Sequence, residues 1–197
     1  MSAKEIMQAA LSSFARDGYE GASLQKIADE VGIKKPSIYA HYKGKEDLFL
    51  HVTRHVFDTE RMHILEYFAR NRDKPVEQRL KQFFDWMLME YDRSDRAKFL
   101  IRMTYYPPSE LYDQIIDIVY PFLDSLQRHL VRLLQREKRS GRMNMSDAEE
   151  AAVAYVTMAE GAVIELVSGR KTSYQARAAA SWAVYCRGVG LSMQQKQ

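Results

Sequence analysis

The sequence predicts an all-α protein. Glycine is sparse, with 9 residues in 197, and proline is rarer, with 5. No sustained alternation of apolar and polar residues is bounded by turn residues, as it would be in half-buried strands. Apolar residues instead recur at intervals of three and four, which is the period of an amphipathic helix. Apolar residues make up 46% of the chain, enough for a folded core, and we expect about nine helices.

The first two helices are bounded by residues that favour helix ends. The first predicted helix extends from about residue 3 to residue 17, and Gly18 ends it. The second begins after Ser23, a good N-cap, and Gly32 ends it. Each helix carries one apolar stripe, and the stripes consist of Ile6, Met7, Ala10, Leu11 and Phe14 and of Leu24, Ile27, Ala28 and Val31.

The third and fourth helices are separated by a short break. The third is predicted from near Lys35 to near Tyr42, and the Lys-Gly pair at 43–44 follows it. The fourth begins at Lys45, where two acidic residues in the first turn suit the positive end of the helix dipole.

Five longer helices are predicted further along the chain. They cover about 75–92, 95–105, 109–140, 148–168 and 173–193, and Pro121 is expected to kink or divide the third of these five. Since the first three helices of the chain are short and the later ones long, we expect two domains, residues 1–50 and residues 51–197.

The second and third helices meet three requirements of a helix-turn-helix. This motif needs a small residue where the helices cross, a turn residue that tolerates positive φ, and an aliphatic residue that points back into the crossing. Ala28, Gly32 and Ile38 occupy these positions. A plain helical hairpin is the alternative, but such hairpins rarely carry an acid-free, lysine-rich second helix.

Charge is segregated within the first fifty residues. The whole chain has a net charge of +3, and residues 1–50 contain seven basic and seven acidic residues. Residues 32–45 nevertheless hold four lysines and no acid. A basic helix within a neutral domain indicates a nucleic-acid contact by position rather than by bulk charge.

The N-terminal residues of the third helix are the candidates for contacts with bases. In a helix-turn-helix this end of the second helix enters the major groove. Lys35 suits guanine O6 and N7, Pro36 a thymine methyl group, and Ser37 a base or phosphate. Tyr39 lies one turn beyond Lys35, whereas Lys34 is expected to add to the positive field without a fixed partner.

Residues 1–50 resemble the N-terminal domain of the TetR/AcrR family of bacterial transcriptional regulators. The resemblance is carried by Phe14, the Gly18-Tyr19 step, "ASLQKIADEVGI" at 22–33, "PSIYAHYKGKEDL" at 36–48 and Phe49. It covers about a quarter of the chain, and residues 51–197 are similar to the family only in helical architecture.

The resemblance assigns further contacts with DNA. It implies that Tyr39, His41 and Lys45 contact bases or the backbone, and that Ser23 and Gln25 contact phosphate or a neighbouring base. A phosphate at Lys45 would also benefit from the free N–H groups of the fourth helix. Tyr42 is either a packing residue or a phosphate contact, and a plain surface role is the alternative for His41.

The last two predicted helices are rich in small residues, which permit close helix packing. The resemblance implies that they form a four-helix homodimer interface, whereas the alternative is an alanine-rich buried helix. The candidate interface residues are Ala151, Ala162, Ala176, Ala179, Ala180, Trp182 and Ala183.

Aromatic residues and methionines in the predicted C-terminal domain either line a ligand pocket or fill the core. Charged residues among them would select a ligand: Glu160 or Glu165 a cationic one, Arg102 an anionic one. The candidate pocket residues are Trp86, Phe99, Arg102, Met103, Tyr106, Tyr155, Met158 and Glu160.

Enzymatic and metal-binding functions have little support in the sequence. No Gly-rich phosphate loop, nucleophile elbow or zinc-protease motif is present. The single cysteine, Cys186, excludes an intramolecular disulfide. His51, His55 and His63 have helical spacing that suits a metal, but no third ligand type lies near them, so we expect neither metal nor cofactor.

We interpret the chain as a cytoplasmic, ligand-responsive transcriptional regulator. By the family's habit it is a repressor that binds a palindromic double-stranded DNA operator as a homodimer and is released by a small molecule. The alternative is a helix-turn-helix protein without an effector, either architectural or associated with a recombinase. No apolar run approaches the ~18 residues of a membrane span, and we expect no membrane partner.

Overall fold

A computed structural model describes residues 2–167 and 171–191 and confirms the all-α fold class. Within these residues the chain forms nine α-helices, one short 3₁₀ helix and no strand. In order they are α1 (Ala3–Gly21), α2 (Leu24–Val31), α3 (Lys35–Tyr39), α4 (Lys45–Arg70), α5 (Val76–Arg93), α6 (Asp95–Tyr105), the 3₁₀ helix (Ser109–Leu111), α7 (Tyr112–Arg139), α8 (Ala148–Val167) and α9 (Lys171–Gly188).

The chain divides into two compact units. The first comprises residues 1–64 and 91–122, and the second comprises residues 65–90 and 123–197. Three long helices, α4, α5 and α7, contribute residues to both units. The boundary near residue 50, which we inferred from helix lengths, therefore stays a prediction about domains rather than a description of these units.

Several helix ends differ from the predicted ones. Gly18 adopts φ 74° and ψ −178° and interrupts α1, but helical residues continue to Gly21. The third helix ends at Tyr39, earlier than predicted. Pro121 lies inside α7 and does not divide it. The N-terminus of α8 is capped by Asp147, since its Oδ1 accepts from the backbone N–H groups of Glu149 at 2.6 Å and Glu150 at 3.3 Å. The last helix begins at Lys171 and ends at Gly188, and its predicted end near residue 193 lies outside the described residues.

The turn between α2 and α3 has the geometry that the sequence predicts. Gly32 has φ 76° and ψ 32°, in the left-handed region that favours glycine. Its N–H donates to the carbonyl of Asp29, and the N–H of Ile33 donates to the carbonyl of Ala28 at 2.9 Å, which closes the end of α2. Ala28 and Ile38 are fully buried. The helix-turn-helix prediction is confirmed.

Two glycines of this domain provide a matched stability test. Replacing Gly32 with alanine is expected to lower the free energy of unfolding by about 1 kcal/mol, because an L-residue resists positive φ. Gly44 has no positive φ, and a Cβ there would meet nothing within 4 Å, so Gly44→Ala is expected to be neutral or slightly stabilising. Urea unfolding of both variants measures the difference, and equal destabilisation would contradict the left-handed turn at Gly32.

Aromatic side chains form the core of the first unit. Phe14 of α1 is fully buried, and its ring centre lies 4.8 Å from that of Phe49 in an edge-to-face arrangement. Phe49 also contacts the rings of Tyr19 at 4.8 Å and Phe99 at 5.5 Å. These contacts join α1, α4 and α6, so the helix that precedes the helix-turn-helix is held by well-packed rings.

The second unit contains a buried polar group beside its own aromatic core. Arg79 is buried, and its Nη2 donates to the carbonyl of Phe68 at 3.3 Å. The imidazole of His129 packs on the Phe68 ring with centres 5.0 Å apart. Burial lowers the pKa of His129, and the positive charges of Arg79, Arg132 and Arg136 lower it further.

This environment predicts a pH-dependent contribution of His129 to stability. Because the folded-state pKa lies below the unfolded value of about 6.5, the unfolded chain binds more protons as the pH falls through that value. Stability is therefore expected to be retained above pH 6.5 and to fall below it. His129→Gln is expected to reduce this fall, as measured by urea unfolding at pH 7.5 and 5.5. An identical fall in both proteins would contradict a depressed His129 pKa.

Candidate nucleic-acid interface

Helix α3 buries one residue and exposes its neighbours. Ile38 is fully buried, whereas Tyr39 is 52% exposed. The other predicted contact residues of this segment, Lys34, Lys35, Pro36, Ser37 and His41, are also exposed. Pro36 lies in the first turn, where its missing N–H costs no helical hydrogen bond. Burial of Ile38 thus fixes the short helix, and its other residues form a continuous exposed surface.

The charged and polar groups at the tips of these side chains are available to a ligand. Among the described residues, the ammonium groups of Lys34, Lys35 and Lys43 and the hydroxyl of Tyr39 have no hydrogen-bond or ion-pair partner. Free donors of this kind suit phosphate oxygens and the acceptors at base edges. We call Lys34, Lys35, Pro36, Ser37 and Tyr39 the α3 surface.

Two predicted contacts lie at the start of α2. The hydroxyl of Ser23 caps the helix by accepting from the N–H of Lys26 at 3.2 Å. The side chain of Gln25 is exposed and donates to Asp29 Oδ1 at 2.7 Å. Ser23 keeps its hydroxyl proton and Gln25 its carbonyl oxygen for a further partner. The structure brings both to the same helix-turn-helix as the α3 surface.

Tyr42 and Lys45 direct their polar ends into the protein. Tyr42 is 6% exposed, and its hydroxyl donates to the carbonyl of Ala3 at 3.3 Å. The Nζ of Lys45 donates to the carbonyl of Tyr19 at 2.9 Å and that of Ala22 at 3.4 Å. In the structure Tyr42 is buried, as the packing alternative predicts. Contacts of Tyr42 and Lys45 with phosphate stay predictions.

The predicted pocket residues fall into both units. Phe99, Arg102, Met103 and Tyr106 belong to the first, and Trp86, Tyr155, Met158 and Glu160 belong to the second. Three of these eight residues are fully buried core residues: Phe99, Met103 and Tyr155. The hydroxyl of Tyr155 donates to the carbonyl of Leu80 at 2.7 Å. Their role in ligand binding stays a prediction.

The two acidic residues that we considered as ligand contacts differ in their surroundings. Glu165 forms an ion pair with Arg177 of α9. Burial raises the pKa of the Glu160 carboxyl, which places this residue in a partly desolvated position. Of the two, Glu160 is the one whose charge is less compensated within the described residues.

The predicted dimer residues separate into two groups. Ala151, Ala162 and Trp182 are buried within the second unit, and the Trp182 ring stacks on Phe84 at 6.2 Å and Tyr185 at 5.9 Å. Ala176, Ala179 and Ala180 are exposed, and Ala183 is half-buried. Alanine content alone did not distinguish the packed side of these helices from the free side.

The exposed side of these helices also carries larger apolar residues. Val153 of α8 and Val184 of α9 are exposed, by 43% and 60%. Val184 follows Ala176 and Ala180 at intervals of four, so these residues share one side of α9. We call these exposed residues of α8 and α9 the free apolar face.

In the described part of the chain, the histidines and the cysteine that we considered for metal binding or catalysis do not form a site. No group of three or more metal-ligating side chains occurs among residues 2–167 and 171–191. The Nδ1 atom of His51 instead lies 3.3 Å from Asp47 Oδ1, and His63 Nδ1 accepts a hydrogen bond from the guanidinium group of Arg96 at 2.9 Å. Burial raises the pKa of the Cys186 thiol to about 11, so this cysteine is held in its unreactive form.

No helix of the described residues has the length and apolar character needed to cross a membrane.

Comparison with known proteins finds similarity to bacterial transcriptional regulators. Residues 6–52 match the family model described as bacterial regulatory proteins, tetR family. Over 69 residues the chain is 32% identical to the biofilm operon icaADBC negative transcriptional regulator IcaR of Staphylococcus epidermidis, covering 35% of each chain. Over 100 residues it is 30% identical to the transcriptional repressor AcnR of Corynebacterium glutamicum, covering 49% of this chain and 51% of AcnR. The matched regions thus span about a third to a half of these curated relatives.

Solved structures extend the likeness to the whole fold. A TetR-family regulator from Mesorhizobium loti superposes with a TM-score of 0.73 at 19% identity, over 93% of this chain and 94% of that one. FadR from Bacillus subtilis, solved in complex with stearoyl-CoA, gives a TM-score of 0.70 at 17% identity, over 95% of this chain and all of FadR.

The fold and the exposed α3 surface define a helix-turn-helix protein of the bacterial regulator class. Residues 6–52 of the chain form a DNA-binding domain of the TetR type.

Proposed function

We propose that this chain is a DNA-binding transcriptional repressor that inserts α3 into the major groove of its operator. The observation that carries the proposal is the α3 surface, in which buried Ile38 fixes the helix while Lys35 and Tyr39 stay exposed without internal partners. A side chain that is free in the protein loses little when it binds a base or phosphate. The relatives IcaR and AcnR are themselves described as negative regulators.

The two ends of the interface have different roles in this proposal. Lys35 and Ser37, with Pro36 between them, lie at the N-terminal end of α3, where side chains reach base edges. Ser23 and Gln25 at the start of α2, together with His41, are placed to contact phosphate or flanking bases. Phosphate contacts fix the register on the duplex, whereas the α3 contacts read its sequence.

A homodimer is the form in which we expect the protein to bind. A single helix-turn-helix reads few base pairs, and two copies on a palindrome place their recognition helices about 34–36 Å apart, one turn of DNA. The free apolar face of α8 and α9 supports the proposal, because exposed valine side chains gain from burial against a second copy. Ala176, Ala179 and Ala180 would permit close approach of the helices.

We further propose that a small molecule bound outside the helix-turn-helix releases the DNA. FadR, which shares this fold, was solved with stearoyl-CoA, and this supports ligand binding as a property of the architecture. A ligand that binds the released form more tightly would shift the population away from the form that fits the operator. Trp86, Met158 and Glu160 are the partly exposed candidates for contact with it.

Selection from a random-sequence duplex library tests the proposal. The wild-type protein is expected to enrich a palindrome, and size-exclusion chromatography with light scattering is expected to give two protomers per duplex or a multiple of two. Enrichment of no sequence would contradict sequence-specific regulation.

A second step separates the proposal from its alternative, a helix-turn-helix protein without an effector. A metabolite library that includes acyl-CoA thioesters is added to the complex with the selected duplex. Release by one compound class supports the repressor with an effector, and release by none favours the architectural or recombinase-associated alternative.

A further inference from the structure

Gln25 and Asp29 are joined by a side-chain hydrogen bond on the exposed side of α2. The Nε2 of Gln25 donates to Oδ1 of Asp29, one helical turn further along, at 2.7 Å. Both side chains are exposed, whereas Ile27 and Ala28, which lie between them in sequence, are fully buried. Burial of these two residues holds α2 in the domain, and the Gln25–Asp29 pair lies on a side of the helix that stays open to a ligand.

This hydrogen bond determines which way the Gln25 amide faces. A carboxylate only accepts hydrogen bonds, so the NH₂ group of Gln25 faces Asp29 and the carbonyl oxygen faces away from it. The reversed amide would place its carbonyl oxygen against a negatively charged oxygen, which is repulsive. Since Asp29 occupies one of the two N–H donors, the amide keeps its carbonyl oxygen as an acceptor and one N–H group as a donor.

The charge of Asp29 makes this amide a poor partner for phosphate. A phosphate oxygen is an acceptor with negative charge, so it gains nothing from the Gln25 carbonyl and is repelled by the neighbouring carboxylate. Ser23, at the N-cap of α2, differs in this respect, because its oxygen accepts from the N–H of Lys26 and its hydroxyl proton remains free to donate. At the start of α2, Ser23 therefore suits phosphate, whereas Gln25 suits a group that donates and accepts.

Adenine is the base whose major-groove edge complements the Gln25 amide. It presents an amino donor at N6 beside an acceptor at N7, which pair with the amide carbonyl and the free N–H group. Guanine presents two acceptors, thymine one acceptor and cytosine one donor. Each of these three bases would leave the amide oxygen or its N–H group unpaired, which costs free energy at an interface.

We propose that Gln25 is a specificity-determining residue that reads an adenine of the operator, and that Asp29 is the positioning residue that orients its amide. This inference rests on the proposed function, because its effect is measured as a base preference in DNA binding. It goes beyond the choice between phosphate and a neighbouring base, since it names the base that Gln25 contacts.

Base analogues in the duplex that the wild-type protein selects test whether Gln25 reads adenine. Gln25→Ala is expected to lose base preference at one adenine–thymine pair in each half-site and to keep it elsewhere. At that adenine, an analogue with carbon in place of N7 and an analogue without the N6 amino group are each expected to weaken binding by the wild-type protein. Neither analogue is expected to weaken binding by Gln25→Ala. A bidentate contact gives a discrimination of about fivefold to 150-fold in affinity.

Two outcomes of this experiment overturn the inference. A uniform loss of affinity in Gln25→Ala, with every base preference intact, would make Gln25 a phosphate contact. Loss of preference at a guanine–cytosine pair would show that the amide reads a different base.

Asp29→Asn tests the positioning role. The new amide group donates as well as accepts, so the Gln25 amide is free to turn and present its N–H groups to guanine. We expect the preference for adenine over guanine at the Gln25 position to fall about fivefold or more. Glu30→Gln is the matched control, because it removes the same charge from an exposed residue of α2 that makes no hydrogen bond or ion pair among the described residues. An adenine preference that is unchanged in Asp29→Asn would overturn the role of Asp29.

NMR of the free protein tests the hydrogen bond even if no duplex is selected and the proposed function fails. In proton–nitrogen correlation spectra, the Gln25 side-chain proton that binds Asp29 is expected to be shifted downfield from those of free glutamine side chains. Asp29→Ala is expected to remove this shift, and Glu30→Ala is expected to leave it in place. A Gln25 signal that is the same in wild type and Asp29→Ala would overturn the orientation of the amide by Asp29.

Discussion

Lys35→Ala and Tyr39→Ala together are expected to abolish sequence-specific DNA binding while the fold and the proposed dimer persist. Each base contact contributes about 1–3 kcal/mol, and two residues in two subunits give about 4–12 kcal/mol, which is a loss of about 700-fold or more. Neither side chain has a hydrogen-bond or ion-pair partner within the described residues, so truncation leaves no internal polar group unpaired. Fluorescence anisotropy with the selected duplex measures the loss.

Two residues elsewhere provide matched controls for this double variant. Tyr120 of α7 is as exposed as Tyr39, and Lys74 is an exposed lysine in the loop before α5. Lys74→Ala with Tyr120→Ala is expected to retain wild-type affinity. Retained sequence-specific binding by the Lys35/Tyr39 variant, with normal helicity, would show that α3 is not the reading helix.

Val184→Glu is expected to convert the protein into monomers and to weaken operator binding strongly. Val184 is 60% exposed in a single chain, so a glutamate there is hydrated and costs the protomer little. In a dimer through the free apolar face, the carboxylate would be buried without a partner, which costs several kcal/mol for each copy. Loss of the second half-site contact then removes the gain from bivalent binding.

A glutamate elsewhere on the second unit is the matched control. Met89 of α5 is 52% exposed and lies outside the free apolar face. Met89→Glu is expected to remain dimeric in light scattering at the concentration where Val184→Glu is monomeric. If Val184→Glu eluted as a dimer with wild-type operator affinity, dimerisation through α8 and α9 would be contradicted.

Local features of the DNA-binding domain could be predicted because they depend on neighbouring residues. Ala28, Gly32 and Ile38 lie within one helix crossing, and the requirements of that crossing follow from helix geometry alone. The exposure of the α3 surface follows too, since burial of Ile38 orients a five-residue helix and turns the residues around it outward.

Contacts between residues distant in sequence could not be predicted in the same way. Lys45 meets the carbonyls of Tyr19 and Ala22 only after the kink at Gly18 has set the path of the end of α1. From sequence, a lysine at a helix N-terminus beside a DNA-reading helix is indistinguishable from a phosphate contact. In the structure two of the three N–H donors of Lys45 are bonded to carbonyls at the end of α1.

Tertiary packing also decides which side of α8 and α9 is buried within the protomer and which side is exposed. Trp182 was among the residues predicted at the dimer interface. In the structure Phe84 and Tyr185 of its own unit cover it, so it belongs to the core of the protomer. Val184, two residues later, points away from this cluster and is exposed.

The central claim is that Lys35 reads a base from the major groove. The most direct test compares wild type and Lys35→Ala on duplexes in which each base pair of the selected site is replaced in turn. We expect the variant to lose discrimination at one base pair in each half-site, symmetrically placed, and to keep it elsewhere. A uniform loss of affinity with every base preference intact would contradict the claim, because it would make Lys35 a phosphate contact.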